Sequence, residues 1–365
     1  MKYLFLVVLV SIAGYGHGQL TNRESKVIAS LSKQLNDDLV TDNLHAGISA
    51  VLIKDGRVIW AGAFGYATTT SDKPADTTTI YRIGSLTKAF TATLLMQLVE
   101  EGKVGLDDPV EKYVPEVKNL QGYTPITLRQ LASHTSGLKR EPDMRGADVG
   151  PLDQWENKVL DCIPNTSFDS PPGTKYLYSN IGYAILGLAL ERASGVPYIQ
   201  MVQQRIFTPL HMDDSYFMMP EEKMPRLAEG ISNNKDGRVN LNLPVTELKG
   251  RGYRVPNGGI FSTPLDLSKF VLSLTGVNPL LKPGSLREMR MVPPGGEHYG
   301  LGIGITHSRQ LNAIGHGGSV PGYTSEYLIE DYTAKGYGLI LMRNINTGST
   351  DLARVCHDVV ETLAY

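Results

Sequence analysis

The sequence has few cysteines, little net charge and no long hydrophobic run. The formal net charge is −2 over 365 residues, without a basic cluster, which gives no electrostatic case for nucleic-acid binding. Two cysteines, Cys162 and Cys356, allow at most one disulfide and could equally be buried thiols. There is no internal repeat or low-complexity segment. The composition, 41% hydrophobic, indicates an ordinary globular protein of one large or two smaller domains.

The longest apolar stretch, YLFLVVLVSIAG, follows Lys2 at the N-terminus. It is shorter than the roughly 18 residues that a membrane span needs. A short apolar core after a positive charge, followed by the small residues Gly16 and Gly18, is typical of a cleaved export signal. We therefore predict a signal peptide over 1–18 and a secreted or periplasmic protein with no stable membrane span.

Several common catalytic and binding motifs are missing. No Gly-x-Ser-x-Gly elbow occurs, GGSVPG misses that pattern by one residue, and GLGIGI lacks the spacing of the dinucleotide fingerprint. The eight histidines show no His-Glu-x-x-His or other paired metal-ligand spacing. The sequence therefore predicts neither a cofactor nor a metal site.

Apolar periodicity predicts matching elements at the two ends of the chain. Residues 22–40 fit an amphipathic helix. A β-hairpin with its turn at Asp55-Gly56 comes next in the chain. Near the other end, residues 324–344 predict two strands before a helix with apolar residues every three or four positions from Leu352 to Leu363. We predict an antiparallel sheet made by both ends and covered by both terminal helices.

The middle of the chain has a different character. Residues 85–101 predict a long helix that ends at Gly102, a residue suited to a helix C-terminus. Further helices are expected over 127–133, 180–194 and 198–206. The predicted fold class is therefore α/β plus α, in which a discontinuous α/β domain (19–79 and 251–365) carries an inserted all-helical domain (80–250). A cleft between two such domains is a common place for a site.

A Ser-x-x-Lys pattern occurs four times, at Ser30/Lys33, Ser85/Lys88, Ser136/Lys139 and Ser232/Lys235. Only Ser85 opens a long helix, where free backbone N–H groups and the helix dipole favour a developing negative charge. Lys88 lies one turn along the same face and can reach the hydroxyl of Ser85. The alternative is that Ser85 simply caps the helix.

A second motif, Tyr178-Ser179-Asn180, opens another predicted helix. A phenol near an ammonium can share one proton with it, so either a neutral lysine or a phenolate could act as a base. Asn180 offers an amide that could orient Lys88 or bind a substrate carbonyl. The alternative is a tyrosine and an asparagine that cap a helix.

A third motif is His316-Gly317-Gly318 in AIGHGGSVPGY. Its glycines let a strand approach a ligand closely. A backbone N–H there could form an oxyanion hole together with the N–H of Ser85. The alternative is a glycine-rich turn.

In this order the three motifs resemble the serine β-lactamase and penicillin-binding superfamily. The branch resembled contains class C β-lactamases and D-Ala-D-Ala carboxypeptidases, with esterase and D-amino-acid-peptidase relatives. Segments such as ITLRQLASHTSGL, SPPGTKYLYSNIGYAILG and NGGIFSTPLDLSKF are also similar to family landmarks. The resemblance implies Ser85 as the acylated nucleophile, and Lys88 with Tyr178 as the proton-transfer pair.

The resemblance also implies roles for the other motif residues. Asn180 would orient the substrate, 316–319 would form the third-motif strand, and the Ser319 N–H would complete the oxyanion hole. One departure is that class C β-lactamases carry Lys-Thr-Gly where this chain has His316-Gly317-Gly318. Histidine is mostly neutral near pH 7, so the sequence fits the peptidase and esterase members better than an efficient β-lactamase.

We therefore expect a secreted, cofactor-free serine hydrolase that forms an acyl-enzyme on Ser85. Its substrate would be a small molecule or peptide with an amide or ester bond. The alternatives are a penicillin-binding or sensor module with little turnover, and an acyltransferase of the same fold. The sequence leaves open the oligomeric state, the identity of the substrate, and whether Lys88 or Tyr178 is the base.

Overall fold

The computed structural model describes residues 20–68, 72–233, 239–240, 250–308, 311–331 and 336–365. The signal peptide predicted over 1–18 lies outside these residues, as does Lys235 of the fourth Ser-x-x-Lys match. Within the described ranges, no helix is both long enough and apolar enough to cross a membrane.

Both ends of the chain contribute to one six-stranded antiparallel sheet. The strands of the molecule in chain order are β1 (Gly47–Lys54), β2 (Arg57–Gly65), β3 (Tyr81–Arg82), β4 (Ser232–Asn233), β5 (Val239–Asn240), β6 (Phe261–Ser262), β7 (Gly304–His307), β8 (Asn312–Val320), β9 (Tyr323–Glu330) and β10 (Tyr337–Arg343). The order in the large sheet is β2-β1-β10-β9-β8-β7. Asp55 and Gly56 form the predicted hairpin turn, and both have a positive φ. The remaining strands form two short pairs, β3 with β6 and β4 with β5.

Helices cover both faces of this sheet. In chain order they are α1 (Asn22–Asp42), α2 (Thr87–Glu100), α3 (Leu128–Ala132), α4 (Trp155–Cys162), α5 (Asn180–Ser194), α6 (Tyr198–Val202), α7 (Val255–Gly258), α8 (Pro264–Leu274), α9 (Pro283–Arg290) and α10 (Leu352–Ala364). A π-helical turn at Gln203–Phe207 extends α6. Single or short 3₁₀ turns lie at Gly84–Leu86, Val110–Lys112, Pro115–Asn119, Leu152–Gln154, Ile163–Asn165, Glu221–Arg226 and Gly252–Arg254.

The side chains of the sheet alternate between two apolar cores, as the pleat requires. Leu52 and Leu341 face the core that α1 and α10 cover, where Leu35 is fully buried. Val51 and Ile340 point to the opposite face, into the core of the helices from the middle of the chain. The predicted fold class, an antiparallel sheet covered by both terminal helices, is thus confirmed.

Helices from both sides of the predicted 250/251 domain boundary share one core. Phe90 of α2 stacks on Phe270 of α8, with ring centroids 3.6 Å apart. In addition, α7 packs on α2 and α5. The two-residue pair of β3 and β6 also joins segments from either side of that boundary. The boundary itself stays a prediction.

The two cysteines are both free and buried. Cys162 lies in α4, where its Sγ is 3.9 Å from the Sδ of Met144, and Cys356 lies in α10, near the carbonyl oxygen of Leu339. Burial raises the pKa of the Cys162 thiol to about 12 and raises that of Cys356 well above its ordinary value. Of the two alternatives left open by the sequence, the structure has the buried thiols.

A buried carboxylate ties α1 to the sheet. Glu24 is only 2% exposed and accepts hydrogen bonds from the backbone N–H of Thr21, the ammonium of Lys54 and the hydroxyl of Tyr337, at 2.7, 2.7 and 2.8 Å. Burial raises the pKa of this carboxyl. The hydrogen bonds outweigh that effect and lower the pKa to about 2.

Replacing Glu24 by alanine should therefore destabilise the protein in a pH-dependent way. We expect Glu24→Ala to lower the free energy of unfolding by about 2 kcal/mol at pH 7, because Lys54 and Tyr337 lose a charged acceptor. This contribution is complete above the ordinary glutamate pKa of 4.5 and is lost as the pH falls toward 2. Urea unfolding at pH 7 and pH 3 measures it, and the difference from wild type should be smaller at pH 3.

Asp37→Ala is the matched control, since Asp37 pairs on the same helix with Lys33, and both side chains are exposed. We expect a change within about 0.5 kcal/mol for this surface pair. Equal stability of Glu24→Ala and wild type at pH 7 would show that the buried carboxylate does not hold α1 in place.

Candidate active site

Ser85 lies in the 3₁₀ turn Gly84–Leu86, directly before α2. The long helix predicted from residue 85 thus begins two residues later, at Thr87. Gly84 has a φ of +53°, and a Cβ at this position would come within 3.0 Å of the backbone nitrogen of Ser319. A glycine at 84 therefore allows β8 to run close beside the serine.

Lys88 is fully buried, with its Nζ in contact with three oxygen atoms. These are Ser85 Oγ at 3.0 Å, Asn180 Oδ1 at 2.8 Å and the backbone oxygen of Asn257 at 3.0 Å. Burial lowers the pKa of Lys88 well below its ordinary value. Nearby arginines lower it further, and the carboxylate of Glu141 opposes them. A neutral amine beside a hydroxyl is able to accept its proton.

Tyr178 completes the group around Ser85. The centroid of its ring lies 4.7 Å from Lys88 Nζ, and its phenol is close enough to Ser85 for that side chain to affect the pKa of the phenol. Burial raises the pKa of this phenol above its ordinary value, although the Ser85 side chain and the charge of Arg140 act in the opposite direction. The phenol is therefore protonated at neutral pH. The electrostatics favour Lys88 as the proton acceptor and Tyr178 as a hydrogen-bond donor.

His134 packs against the ring of Tyr178. It follows α3 with a φ of +59°, and its Nδ1 accepts a hydrogen bond of 3.0 Å from the backbone N–H of Ser179. The imidazole ring lies 4.1 Å from the ring of Tyr178, between centroids. Burial keeps the pKa of His134 well below its ordinary value, so the ring stays neutral and can accept this bond. His134 thus fixes the backbone next to Tyr178.

The amide of Asn180 is held from both ends. Its Oδ1 contacts Lys88, and its Nδ2 donates a hydrogen bond of 2.6 Å to Glu141. Glu141 also accepts a hydrogen bond from the hydroxyl of Tyr253 and lies 3.2 Å from a guanidinium nitrogen of Arg254. Because a carboxylate can only accept, it fixes the amide with its oxygen toward Lys88.

The third motif lies on β8, as predicted. His316 and Gly318 face the helices, and a Cβ on Gly318 would clash with the carbonyl oxygen of Ile83. His316 Nε2 lies 2.8 Å from the hydroxyl of Tyr299, and burial lowers the pKa of this histidine to about 4. The imidazole is therefore neutral at pH 7.

A cavity of about 810 Å³ joins these motifs. Of the eight residues predicted for the site, Lys88 and Asn180 are buried behind it, and six line it: Ser85, Tyr178, His316, Gly317, Gly318 and Ser319. The structure thus brings together all eight. Their individual roles stay predictions.

Two other Ser-x-x-Lys matches form no such site. Lys33 pairs with Asp37 and Lys139 pairs with Asp143, in contacts that are largely exposed. The sequence did not identify two polar groups that act on Lys88. One is the carboxylate of Glu141, and the other is the backbone oxygen of Asn257. Asn257 lies in the quoted NGG segment, but nothing in its spacing connects it to a lysine 169 residues away.

Comparison with known proteins adds the family. Residues 33–358 match the family model described as Beta-lactamase. The chain belongs to the Beta-lactamase family. This finding confirms the predicted superfamily. Members of this family are serine hydrolases.

The curated relatives are moderately similar to the chain. Beta-lactamase-like protein 4 of Dictyostelium discoideum is 30% identical over 273 residues, which are 67% of this chain and 47% of that protein. The D-alanyl-D-alanine-carboxypeptidase/endopeptidase AmpH of Escherichia coli K12 is 30% identical over 226 residues, 61% of this chain and 56% of the relative. The match thus spans about half the length of these two relatives.

Among solved structures, the D-amino acid amidase of Ochrobactrum anthropi SV3 in complex with D-phenylalanine superimposes with a TM-score of 0.75. It is 26% identical, and the alignment covers 93% of this chain and 98% of the amidase. The Beta-lactamase family fold therefore extends over nearly the whole chain.

The charge of Glu141 should set the pH at which Ser85 becomes reactive. Removing this negative charge lowers the pKa of the Lys88 ammonium further, because Glu141 raises it in the native protein. The neutral amine then persists to lower pH. We expect the rising limb of the rate of Ser85 labelling by a fluorophosphonate, measured from pH 4 to pH 9, to move to lower pH in Glu141→Gln.

Asp143→Asn is the matched control, because Asp143 is an exposed acid in the same loop and pairs with Lys139. Its limb should coincide with that of the wild type. A limb that does not move in Glu141→Gln would show that this carboxylate has no electrostatic effect on the amine.

Proposed function

We propose that the protein is an exported serine hydrolase that forms an acyl-enzyme on Ser85 and cleaves amide or ester bonds. One observation carries the proposal: a fully buried lysine amine lies 3.0 Å from the Ser85 hydroxyl. Its contacts among the described residues are a hydroxyl, an amide oxygen and a carbonyl oxygen, and none is a carboxylate that would hold it charged. Such an amine is suited to general base catalysis near neutral pH.

In the proposed acylation step, Ser85 transfers its proton to Lys88 while its Oγ attacks the carbonyl carbon of the substrate. The carbonyl oxygen takes up negative charge, which the backbone N–H groups of Ser85 and Ser319 would stabilise. Asn180 keeps Lys88 in position throughout. The C–N or C–O bond then breaks, and the leaving group receives a proton from Lys88, directly or through the hydroxyl of Tyr178.

In the proposed deacylation step, a water molecule attacks the ester of Ser85. The same amine, again neutral, accepts the proton of this water and returns it to the Oγ of Ser85 as the acyl group leaves. The protein thus needs no cofactor for either half of the reaction. The close contacts of Lys88 with Ser85 and with the ring of Tyr178 support proton transfer by these side chains in both steps.

The substrate class rests on the relatives and on the charge of the site. Relatives carry the names of a D-alanyl-D-alanine carboxypeptidase/endopeptidase and a D-amino acid amidase. A small molecule or a peptide with an amide or ester bond therefore suits the cavity. The neutral His316 offers no fixed cation from β8, which favours peptidase or esterase activity over efficient β-lactam hydrolysis.

Covalent labelling tests the nucleophile. Incubation with a fluorophosphonate or a labelled penicillin, followed by peptide mass mapping, should place the label on Ser85. We expect Ser85→Ala to lose the label and Lys88→Met to lower kcat roughly 10³-fold, the usual range for loss of a general base. Ser30→Ala and Lys33→Met, from another Ser-x-x-Lys match on an exposed stretch of α1, serve as controls and should react as wild type.

Turnover separates the hydrolase from the alternatives. Steady-state rates on chromogenic esters, D-amino-acid amides and nitrocefin should show many turnovers per Ser85. A single burst without turnover would favour a penicillin-binding or sensor module, and products formed with added amines would favour an acyltransferase. Export is a separate part of the proposal: the mature protein from an exporting host should begin at Gln19.

A further inference from the structure

The third motif contains two adjacent glycines, and close packing requires both of them. A Cβ on Gly317 would lie 2.6 Å from Oε2 of Glu326, and a Cβ on Gly318 would clash with the carbonyl oxygen of Ile83. Glycine has more backbone freedom than any other residue, so a Gly-Gly pair does little by itself to fix a strand. The backbone N–H of Ser319, proposed for the oxyanion hole, follows directly after this pair. Its position therefore depends on what holds the two glycines.

The carbonyl group of Gly317 and the N–H of Ser319 point to the same edge of β8. Successive residues of a strand direct their backbone groups to opposite edges. The carbonyl oxygen of Asn312 accepts a hydrogen bond from the backbone N–H of Asp331, on the side of β9. The odd-numbered residues of β8 therefore face the other edge, which β7 covers only as far as Gly315. Beyond Gly315 the strand borders the cavity.

The side chain of His316 holds the carbonyl group of Gly317 at this edge. Nδ1 of the imidazole lies 2.7 Å from the carbonyl oxygen. Because a carbonyl oxygen can only accept a hydrogen bond, Nδ1 carries a proton and donates it. This bond fixes the peptide group that links the two glycines.

Tyr299 occupies the other nitrogen of the imidazole. Its hydroxyl lies 2.8 Å from Nε2 of His316, and both side chains are buried. The ring is neutral at pH 7 and has its proton on Nδ1, so Nε2 accepts a hydrogen bond that the hydroxyl of Tyr299 donates. Both ring nitrogens of His316 are therefore engaged by the protein itself.

Further titratable side chains lie around His316. Burial lowers the pKa of its imidazole, and the charge of Lys88 acts in the same direction. His134 is close enough for a charge on either ring to disfavour a charge on the other. Tyr327 is the partner of His316 on β9, and burial raises the pKa of its phenol. The carboxyl group of Glu326 lies beside Gly317, on the opposite face of the sheet.

We propose that His316 and Tyr299 are positioning residues for the oxyanion hole. Tyr299 holds the imidazole at Nε2, the imidazole holds the Gly317 carbonyl through Nδ1–H, and this carbonyl sets the direction of the Ser319 N–H. His316 thus acts on the reaction through the backbone and not through contact with the substrate. The inference rests on the proposed function, to which the oxyanion hole belongs, but the state of the imidazole can be measured without any activity.

Nuclear magnetic resonance locates the proton on His316. The full chain is labelled with ¹⁵N in its eight histidines, and the signals of His316 are assigned by their loss in His316→Asn. At pH 7.5 we expect a protonated Nδ1 and an unprotonated Nε2. His134 is an internal reference of the opposite kind, because its Nδ1 accepts the N–H of Ser179 and its proton is therefore on Nε2. In Tyr299→Phe the neutral imidazole of His316 loses a donor, so the midpoint of its titration should move to higher pH.

Two substitutions of His316 separate the roles of its two nitrogens. The amide nitrogen of an asparagine can take the place of Nδ1, whereas the amide of a glutamine reaches the place of Nε2. The substrates are 4-nitrophenyl butyrate and its thiono analogue, in which sulfur replaces the carbonyl oxygen. Sulfur is the weaker hydrogen-bond acceptor, so the ratio of kcat/KM between the oxygen and the sulfur ester reports on the oxyanion hole. A ratio also cancels any loss of folded protein.

We expect His316→Gln to lower kcat/KM for the oxygen ester roughly ten- to hundredfold, somewhat less than the loss of an oxyanion donor itself. Most of this loss should appear in the ratio. His316→Asn should keep the ratio within about threefold of wild type, because its amide can still donate to the Gly317 carbonyl. Tyr299→Phe should lie between the two. His307→Asn and His307→Gln, at an exposed histidine of β7, are the matched controls and should react as wild type.

The outcomes separate this inference from the proposed function. A ratio that His316→Gln leaves unchanged, or that it keeps better than His316→Asn does, would overturn the inference alone. A His316 that is charged at pH 7.5, or that has its proton on Nε2, would overturn it as well. If neither ester reacts and Ser85 takes no fluorophosphonate label, the proposed function fails, and the role of His316 and Tyr299 in an oxyanion hole fails with it.

Discussion

A buried lysine amine that has no carboxylate partner in the described part of the chain is the feature on which the site depends. Taking a charged ammonium out of water costs several kcal/mol unless an anion accompanies it, so the group gives up its proton more easily instead. Lys88 reaches this state because α2 is buried along nearly its whole length from Thr87 to Met96. Around its Nζ the fold supplies neutral oxygens, from Ser85, Asn180 and Asn257. These oxygens hold the amine in place without fixing its charge.

The two-sided sheet explains how distant segments meet at this amine. The N-terminal and C-terminal strands form one sheet, and this sheet brings β8 against the turn that carries Ser85. The approach is possible because Gly84 and Gly318 have no side chains at the contact. A substrate carbonyl placed between Ser85 and Ser319 would lie where two backbone segments meet. These are the turn Gly84–Leu86 and strand β8. The site is thus a product of the topology as much as of its motifs.

The sequence was sufficient for those parts of the structure that local patterns determine. The hairpin at Asp55-Gly56 and the terminal helices follow from apolar periodicity and turn residues, and the comparison with solved structures confirms the fold class. Ser85 and Lys88 are three residues apart, so their contact is visible as a spacing. Glu141 is different, because its bond to Asn180 spans 39 residues and leaves no local pattern.

Long-range pairing also explains which questions the sequence left open. The state of the two cysteines depends on the distance between α4 and α10, which no spacing reports. The choice between Lys88 and Tyr178 as the base depends on burial, which lowers the pKa of Lys88 and raises that of Tyr178. The domain boundary at 250/251 was predicted from the run of helices over residues 80–250, whereas the helices on either side of it share one core. Each of these is a property of packing.

The free, enclosed thiols have a practical consequence for the chemistry of the protein. A thiol that is shielded from solvent and holds its proton tightly is a poor nucleophile, so neither Cys162 nor Cys356 competes for an acylating reagent. Nor does folding depend on an oxidant, since no covalent cross-link is needed to close either core. The polypeptide can therefore be prepared under reducing conditions, and an adduct formed on it is not expected on sulfur.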